Sequence, residues 1–293
     1  MVDIVHHSLI GVAGAGVANA LGQHEAAIGF LIGSLLPDLD VLFIPLGKSR
    51  FLNLHQGVTH SLIGITGISC LAAAIFTLVG MPFAVMACAI AAGMAVHVAL
   101  DLLNTFGVRV LWPLPQRICF DAFFFIDIYV LVASWLFAAA AIGTEMGGVV
   151  AVVWIAFLAA YSAVRIAWRK AIIAKHGLTT AVPSGALPLT WFVTKRENDL
   201  IRCGVVEGLS RRLRWTSEVA EVDRDLLKVL RSGPIFKDLE KALKLFVPVK
   251  VDSDGDVTTV VSRCVAVRNF NNRYGETTSV IQKGVVISEV SRI

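Results

Sequence analysis

Charge is scarce in this chain: Asp, Glu, Lys and Arg together make 16% of its 293 residues, against roughly a quarter in an ordinary soluble domain. With 56% hydrophobic residues and a mean hydropathy of +0.73, a wholly soluble protein is excluded. Cysteine is sparse as well. Cys70, Cys88, Cys119, Cys203 and Cys264 form no CxxC and no paired spacing, which argues against a disulfide framework and against a thiolate zinc site. The N-terminus lacks Lys and Arg ahead of the apolar run Leu9 to Leu21 and carries Asp3 and two His instead. That is the wrong n-region for a signal peptide, although Ala18-Asn19-Ala20 imitates a cleavage site. The 24 Gly and 9 Pro follow no triplet period, and the apolar content is too high for disorder.

What charge there is lies unevenly. Residues 1–184 hold eight of the 26 Lys and Arg and eight of the 22 Asp and Glu, so the whole net charge of +4 belongs to residues 185–293. All seven His, from His6 to His176, lie in the first part. A segment poor in charge that holds every imidazole is using its few polar groups for a purpose.

Four apolar runs approach the 20 or so residues needed to cross a bilayer as helices: Leu62 to Gly80, Pro82 to Leu103, Phe123 to Ile142 and Gly147 to Trp168. Upstream, Val5 to Leu21 and Ala26 to Leu36 read as a helical hairpin that spans barely or re-enters. The fold expected is an α-helical polytopic membrane domain over residues 1–180, an N-terminal hairpin plus four transmembrane helices, followed by a small soluble α+β domain over 185–293. Lys48, Arg50, Arg109, Arg117, Arg169, Lys170 and Lys175 fall in alternate connections, whereas 22–25, Met81 and 143–146 contain no Lys or Arg. Loops rich in Lys and Arg stay inside. The N-terminus, the 37–60 and 104–122 loops and the tail are therefore expected on the cytoplasmic side of a bacterial inner membrane.

Beyond Pro188 the pattern turns to short strands (Leu189 to Thr194, Leu200 to Val206, Arg212 to Glu218). An amphipathic helical stretch, Asp223 to Leu245, follows and is broken at Gly233-Pro234, and after it come strands at Val247 to Val251, Val257 to Val267 and Thr278 to Val290. Asp252 to Asp256 imitates a calcium loop, but its Gly stands at the fourth position and no Glu closes it. It reads as a hairpin turn. A basic tail of this kind is expected to lie against the anionic inner leaflet.

Ionisable residues at membrane depth are costly and mark function. His97 and Asp101 are four apart and share one helix face, an arrangement that suits a shared cation or a self-satisfied packing pair. Asn104 follows on nearly the same face. Asp38 and Asp40 flank one apolar residue where a helix stops at Pro37. His55, Gln56 and His60 precede the first long span. Asp121 and Asp127 frame the third span's start, His7 opens the first helix, and His6 reads as its exposed neighbour. By the charge alternation all of these lie at cytoplasmic helix ends, which the charge rule did not require. Imidazole and carboxylate without Cys suit zinc, with manganese or iron as alternatives. With about seven imidazole and carboxylate ligands available at these ends, two or three metal ions are possible. Asp38, His97 and Asp101 are the candidates for the chemistry itself, and His55, Gln56, Asn104 and Asp121 for supporting or substrate contacts.

Five ordered motifs, His7-Ser8-Leu9-Ile10-Gly11, Gly33 to Asp40 with its Leu-Pro-Asp-x-Asp core, His55 to Ser61, His97 to Asn104 and Asp121 to Asp127, carry a family likeness. Over about residues 3–130 the chain resembles the LexA-regulated, membrane-bound metal-dependent hydrolases (YdjM-like). It departs from their pattern at Gln56, where the family has Arg, and at Ile128, where Pro is expected. The family is distantly similar to zinc-dependent phospholipases C and single-strand nucleases. That likeness implies metal ligation by His7, Asp38 or Asp40, His60, His97, Asp101 and Asp127. The leading expectation is a metal-dependent hydrolase of a lipid or lipid-linked phosphoester at the cytoplasmic leaflet, with membrane lipid as its partner and nothing that points to nucleic acid. A metal or proton transporter, and a membrane anchor whose tail is the effector, stand as alternatives.

Overall fold

The computed structural model describes residues 3–47, 50–51, 54–124, 127–143, 147–266 and 276–292. Lys48, Glu145 and the end of the strand expected at Val257 to Val267 lie outside the described residues. The chain divides into two compact units, one of residues 1–42 and 56–167, the other of residues 43–55 and 168–293.

The first unit is helical. Helix α1 (Asp3–Ala20) turns through Gly22, at φ +73°, into α2 (His24–Gly33). A 3-10 segment (Leu36–Leu46) and a single 3-10 turn (Val58–His60) lead to α3 (Leu62–Thr77). Then follow α4 (Phe83–Asp101), α5 (Ile128–Gly143) and α6 (Gly147–His176), the last running past the unit boundary. Two apolar clusters hold the unit: Ala73, Met86, Ile90 and Met94 between α3 and α4, and Ile10, Phe123, Val130, Trp154 and Leu158 around α1, α5 and α6.

Among the described residues, three stretches are long and apolar enough to cross a membrane: His24–Leu46, Phe83–Asp101 and Gly148–His176. Two of the four expected spans, Pro82 to Leu103 and Gly147 to Trp168, are among them, and the other two form shorter apolar helices. Helix α3 has 16 residues, about 24 Å at roughly 1.5 Å per residue, because the chain leaves the helix at Leu78 and turns at Gly80, φ +88°. Helix α5 is also 16 residues long: Asp127 caps it, so Phe123 and Phe124 lie before the helix. Conversely, the second arm of the hairpin, with the 3-10 segment that continues it, is itself of membrane length at 23 residues.

Small residues bring α2 and α4 together. A Cβ on Gly33 would fall on the Ile90 carbonyl, and one on Gly93 on the Phe30 carbonyl. Gly29 and Gly33 form the spacing that lets two membrane helices approach backbone to backbone.

The second unit holds two four-stranded antiparallel sheets in simple up-and-down order. One is β1 (Thr180–Pro183), β2 (Trp191–Glu197), β3 (Leu200–Glu207) and β4 (Arg212–Ala220). The other is β5 (Phe246–Asp254), β6 (Val257–Cys264), β7 (Glu276–Gln282) and β8 (Val285–Arg292). Between them lie α7 (Arg224–Leu230), capped by Asp223, and α8 (Pro234–Ala242). The α8 amides of Ile235 and Phe236 donate to the Glu289 carboxylate at 2.8 and 3.2 Å. The Asp252 to Asp256 stretch forms the end of β5 and the hairpin turn to β6, which is Gly255-Asp256 with Gly255 at φ +56°. Two details differ from the sequence reading. Strand β1 is added, its four residues too few to show alternation. The single strand at Thr278 to Val290 is a hairpin, turning at Lys283-Gly284, both at positive φ (50° and 75°) as a tight two-residue turn requires.

Candidate metal centre

Asp101, the last residue of α4, is where the imidazoles converge. Its Oδ1 lies 3.3 Å from His7 Nε2, and its Oδ2 lies 3.1 Å from His60 Nε2 and 3.6 Å from His97 Nε2. The His7 and His97 rings stack at 3.5 Å with 15° between their planes, while His60 meets His97 edge-on at 5.1 Å. His7, His60, His97 and Asp101 are all buried. Among the described residues, two groups of three could each hold a metal ion: His7, His97 and Asp101, and Asp38, His60 and His97. In each, the donor atoms lie within 4.8 Å of one another. His97 belongs to both.

The local fold explains each placement. Ser61 caps α3 by accepting from the Gly64 amide at 3.0 Å, which fixes His60 at the helix mouth. The α2–α4 crossing sets the Ser34 carbonyl 2.7 Å from His97 Nδ1. A carbonyl only accepts, so Nδ1 carries the hydrogen and Nε2 is the atom that faces the carboxylates. Nε2 stands 3.6 Å from both Asp38 Oδ1 and Asp101 Oδ2, and neither it nor Asp38 Oδ2 has a hydrogen-bond partner among the described residues. A bare nitrogen lone pair against two carboxylates is repulsive; a proton or a metal cation between them makes it attractive. Metal-ligating histidines characteristically donate their second ring nitrogen to a backbone carbonyl, as His97 does here. The donor set thus fits a divalent ion. Burial holds the His60 imidazole below its ordinary pKa, against the pull of Asp101, which favours the neutral form that ligates.

A ring of polar contacts fixes these groups. Gln56 donates from Nε2 to Asp101 Oδ2 at 2.9 Å and from its backbone amide to Asp40 Oδ2 at 3.0 Å. Asn104 Nδ2 reaches Asp101 Oδ1 at 3.4 Å, and its own oxygen accepts the Phe106 and Gly107 amides. Thr59 lies 2.9 Å from His60 Nδ1 and 3.5 Å from Asp40. Asp40 stands outside both triads, 3.7 Å from His60 Nδ1.

The remaining candidates are placed elsewhere. Asp127 accepts the Tyr129 and Val130 amides at 3.1 and 3.2 Å and pairs with Arg165 at 3.6 Å. Its carboxylate caps α5 and belongs to neither triad. Asp121 is buried at φ +51°, and His55 lies against the Phe51 ring. His6 is buried, contrary to the exposed position expected, and with His7 it lines a largely apolar cleft shared with Asn104, Phe123, Asp127 and Val130. Ser34, Thr59 and Arg165 were missed in the sequence. Only Arg165, a lone charge in an apolar run, left a signal there.

The model of the YdjM inner membrane protein family matches residues 1–172. The chain belongs to that family. The matched segment carries every residue of both triads together with Gln56 and Asn104, so the candidate metal centre lies within the family's own region. No curated protein and no solved structure matches this YdjM family member.

Proposed function

We propose that this YdjM family protein is a metal-dependent hydrolase of the inner membrane, acting on a phosphoester of a lipid or lipid-linked substrate at the cytoplasmic leaflet. The observation that carries the reading is His97, whose Nδ1–H is committed to Ser34 while Nε2 faces Asp38 and Asp101. His7, His97 and Asp101 would hold one ion and Asp38, His60 and His97 would share a second, zinc being the best match to the donors. Such an ion, when bound, supplies Lewis acidity and acidifies water for attack at neutral pH. Gln56 and Asn104 orient the Asp101 carboxylate, and Thr59 orients the His60 ring. The apolar cleft beside His7 suits an acyl chain that reaches the site laterally. The basic residues of 185–293 would dock the second unit against anionic headgroups.

Transport is supported less well. A relay needs polar groups continuing along the spans, yet towards the other end of α4 the buried residues are Met94, Gly93, Ile90, Ala89 and Met86. The deciding experiment is metal analysis of the purified protein with a panel of phospholipid and nucleotide phosphoesters. Wild type is expected to hold zinc and to turn over at least one phosphoester, and H97A and D101A to lose both. H24A and H176A should lose neither. Full metal occupancy in an H97A/D101A protein would reduce the pair to helix packing.

A further inference from the structure

The loop after α4 returns across the site on an isolated antiparallel bridge between Val108 and Ile118, whose amides and carbonyls exchange two 2.9 Å bonds. That register sets Arg109 and Arg117 across from one another, on the opposite side of the chain from Val108 and Ile118. Like charges placed so are destabilising. Yet the local sequence enforces the placement. Gly107, at φ +77°, leaves room that a Cβ would take from Arg117 Cβ and the Ile118 carbonyl, each 3.2 Å away, and Arg117 Nη1 donates to the Gly107 carbonyl at 2.9 Å. Both arginines are half-buried. Burial, and then the charge of Arg109, push Arg117 down to about 10, with Asp40 close enough to pull it back up. It remains a cation at neutral pH.

The same segment is stitched to the candidate metal centre. The Arg109 amide donates to the Gln56 carbonyl at 3.0 Å, and the Val110 carbonyl accepts the Leu62 amide at 3.0 Å, so the chain carrying Arg109 runs beside the His60 segment. Gln56 in turn holds Asp40 and Asp101. The backbone that carries Arg109 thus runs directly beside Gln56, whose contacts orient Asp40 and Asp101, and Arg117 is set across from it.

We propose that Arg109 and Arg117 form the anion-recognition pair of this site, clamping the non-bridging oxygens of a phosphate group, carried by a lipid headgroup or by a small phosphoester, beside the metal ligands. The inference rests on the phosphoester reading of the site. Planar guanidinium forks match phosphate bidentately, which the point charge of a Lys does not. If the two residues served only to hold the loop inside or to offset Asp40, Lys would serve equally.

Full-length protein purified in detergent, zinc-loaded or stripped with EDTA, is titrated calorimetrically with inorganic phosphate and with dihexanoyl phosphatidate. R109K/R117K is expected to keep wild-type metal content and to bind both probes about tenfold or more weakly. Tighter wild-type binding of the phosphatidate than of phosphate assigns a lipid headgroup, and equal binding a small phosphoester; either supports the pair. Binding by R109K/R117K equal to wild type, or no binding of either probe by wild type, overturns it. Arg-dependent binding by a protein that takes up no metal keeps the anion pair and removes the hydrolase reading. Intact metal and turnover with Lys-indifferent binding does the reverse. Should the double variant not fold, R109K alone carries the test, since it leaves the Arg117 bond to Gly107 in place.

Discussion

His97 Nδ1 is held 2.7 Å from the carbonyl of Ser34, a backbone group 63 residues earlier in the chain. One hydrogen bond therefore couples the packing of α2 on α4 to the orientation of the ring shared by both triads. A change in that crossing is expected to shift the His97 ring without touching any other member of the two triads.

Gly93→Ala tests this coupling. Its Cβ would meet the Phe30 carbonyl and the Ser34 amide, and forcing the helices apart should cost about 1–3 kcal/mol of stability and weaken zinc binding as Ser34 withdraws from His97. Gly67→Ala, with nothing within 4 Å of its Cβ, should do neither. Thermal unfolding with and without zinc reads both effects; unchanged zinc affinity in a destabilised G93A protein would separate the crossing from the site.

Gln56 stands at φ +56°, a conformation that favours Gly, while its amide orients Asp101. Gln56→Gly relieves the backbone and removes the amide, so the two effects separate. Zinc affinity should fall about 10- to 100-fold while the unfolding temperature in EDTA holds or rises. An affinity equal to wild type would show that Asp101 needs no help from Gln56.

Orientation is open to labelling in a cysteine-free background. Cys at Gln23 or Glu145 should react with an impermeant thiol reagent in intact cells, and Cys at Lys48 or Lys175 should be protected. A labelled Lys175→Cys protein would move the ligand ends of the helices to the other side of the membrane, and with them the cytoplasmic substrate.

The polar residues that stand out were legible one by one in the sequence. The 3.6-residue helical period puts His97 and Asp101 on one face, charge alternation places the His and Asp motifs at one set of helix ends, and the scarcity of charge makes each of them conspicuous. Asp38 and Asp40 are two apart in a 3-10 segment, and no pattern distinguishes them. Only the packing places Asp38 in a triad with His60 and His97 and leaves Asp40 to the Gln56 amide. The same holds for Asp127, conspicuous among aromatics in the sequence yet committed by tertiary structure to capping α5 and pairing with Arg165.

Apolar runs likewise determined that the first part of the chain is helical and membrane-embedded, because hydrophobic length is a local property. Where a helix ends is decided by turns and caps: Gly80 shortens α3 and Asp127 shortens α5. The close approach of α2 and α4 depends on glycines meeting carbonyls far away in sequence. Residue types alone therefore named a set of candidates that includes every member of both triads. Which atoms face one another was set by helix crossings and backbone carbonyls, which carry no signature in the order of the side chains.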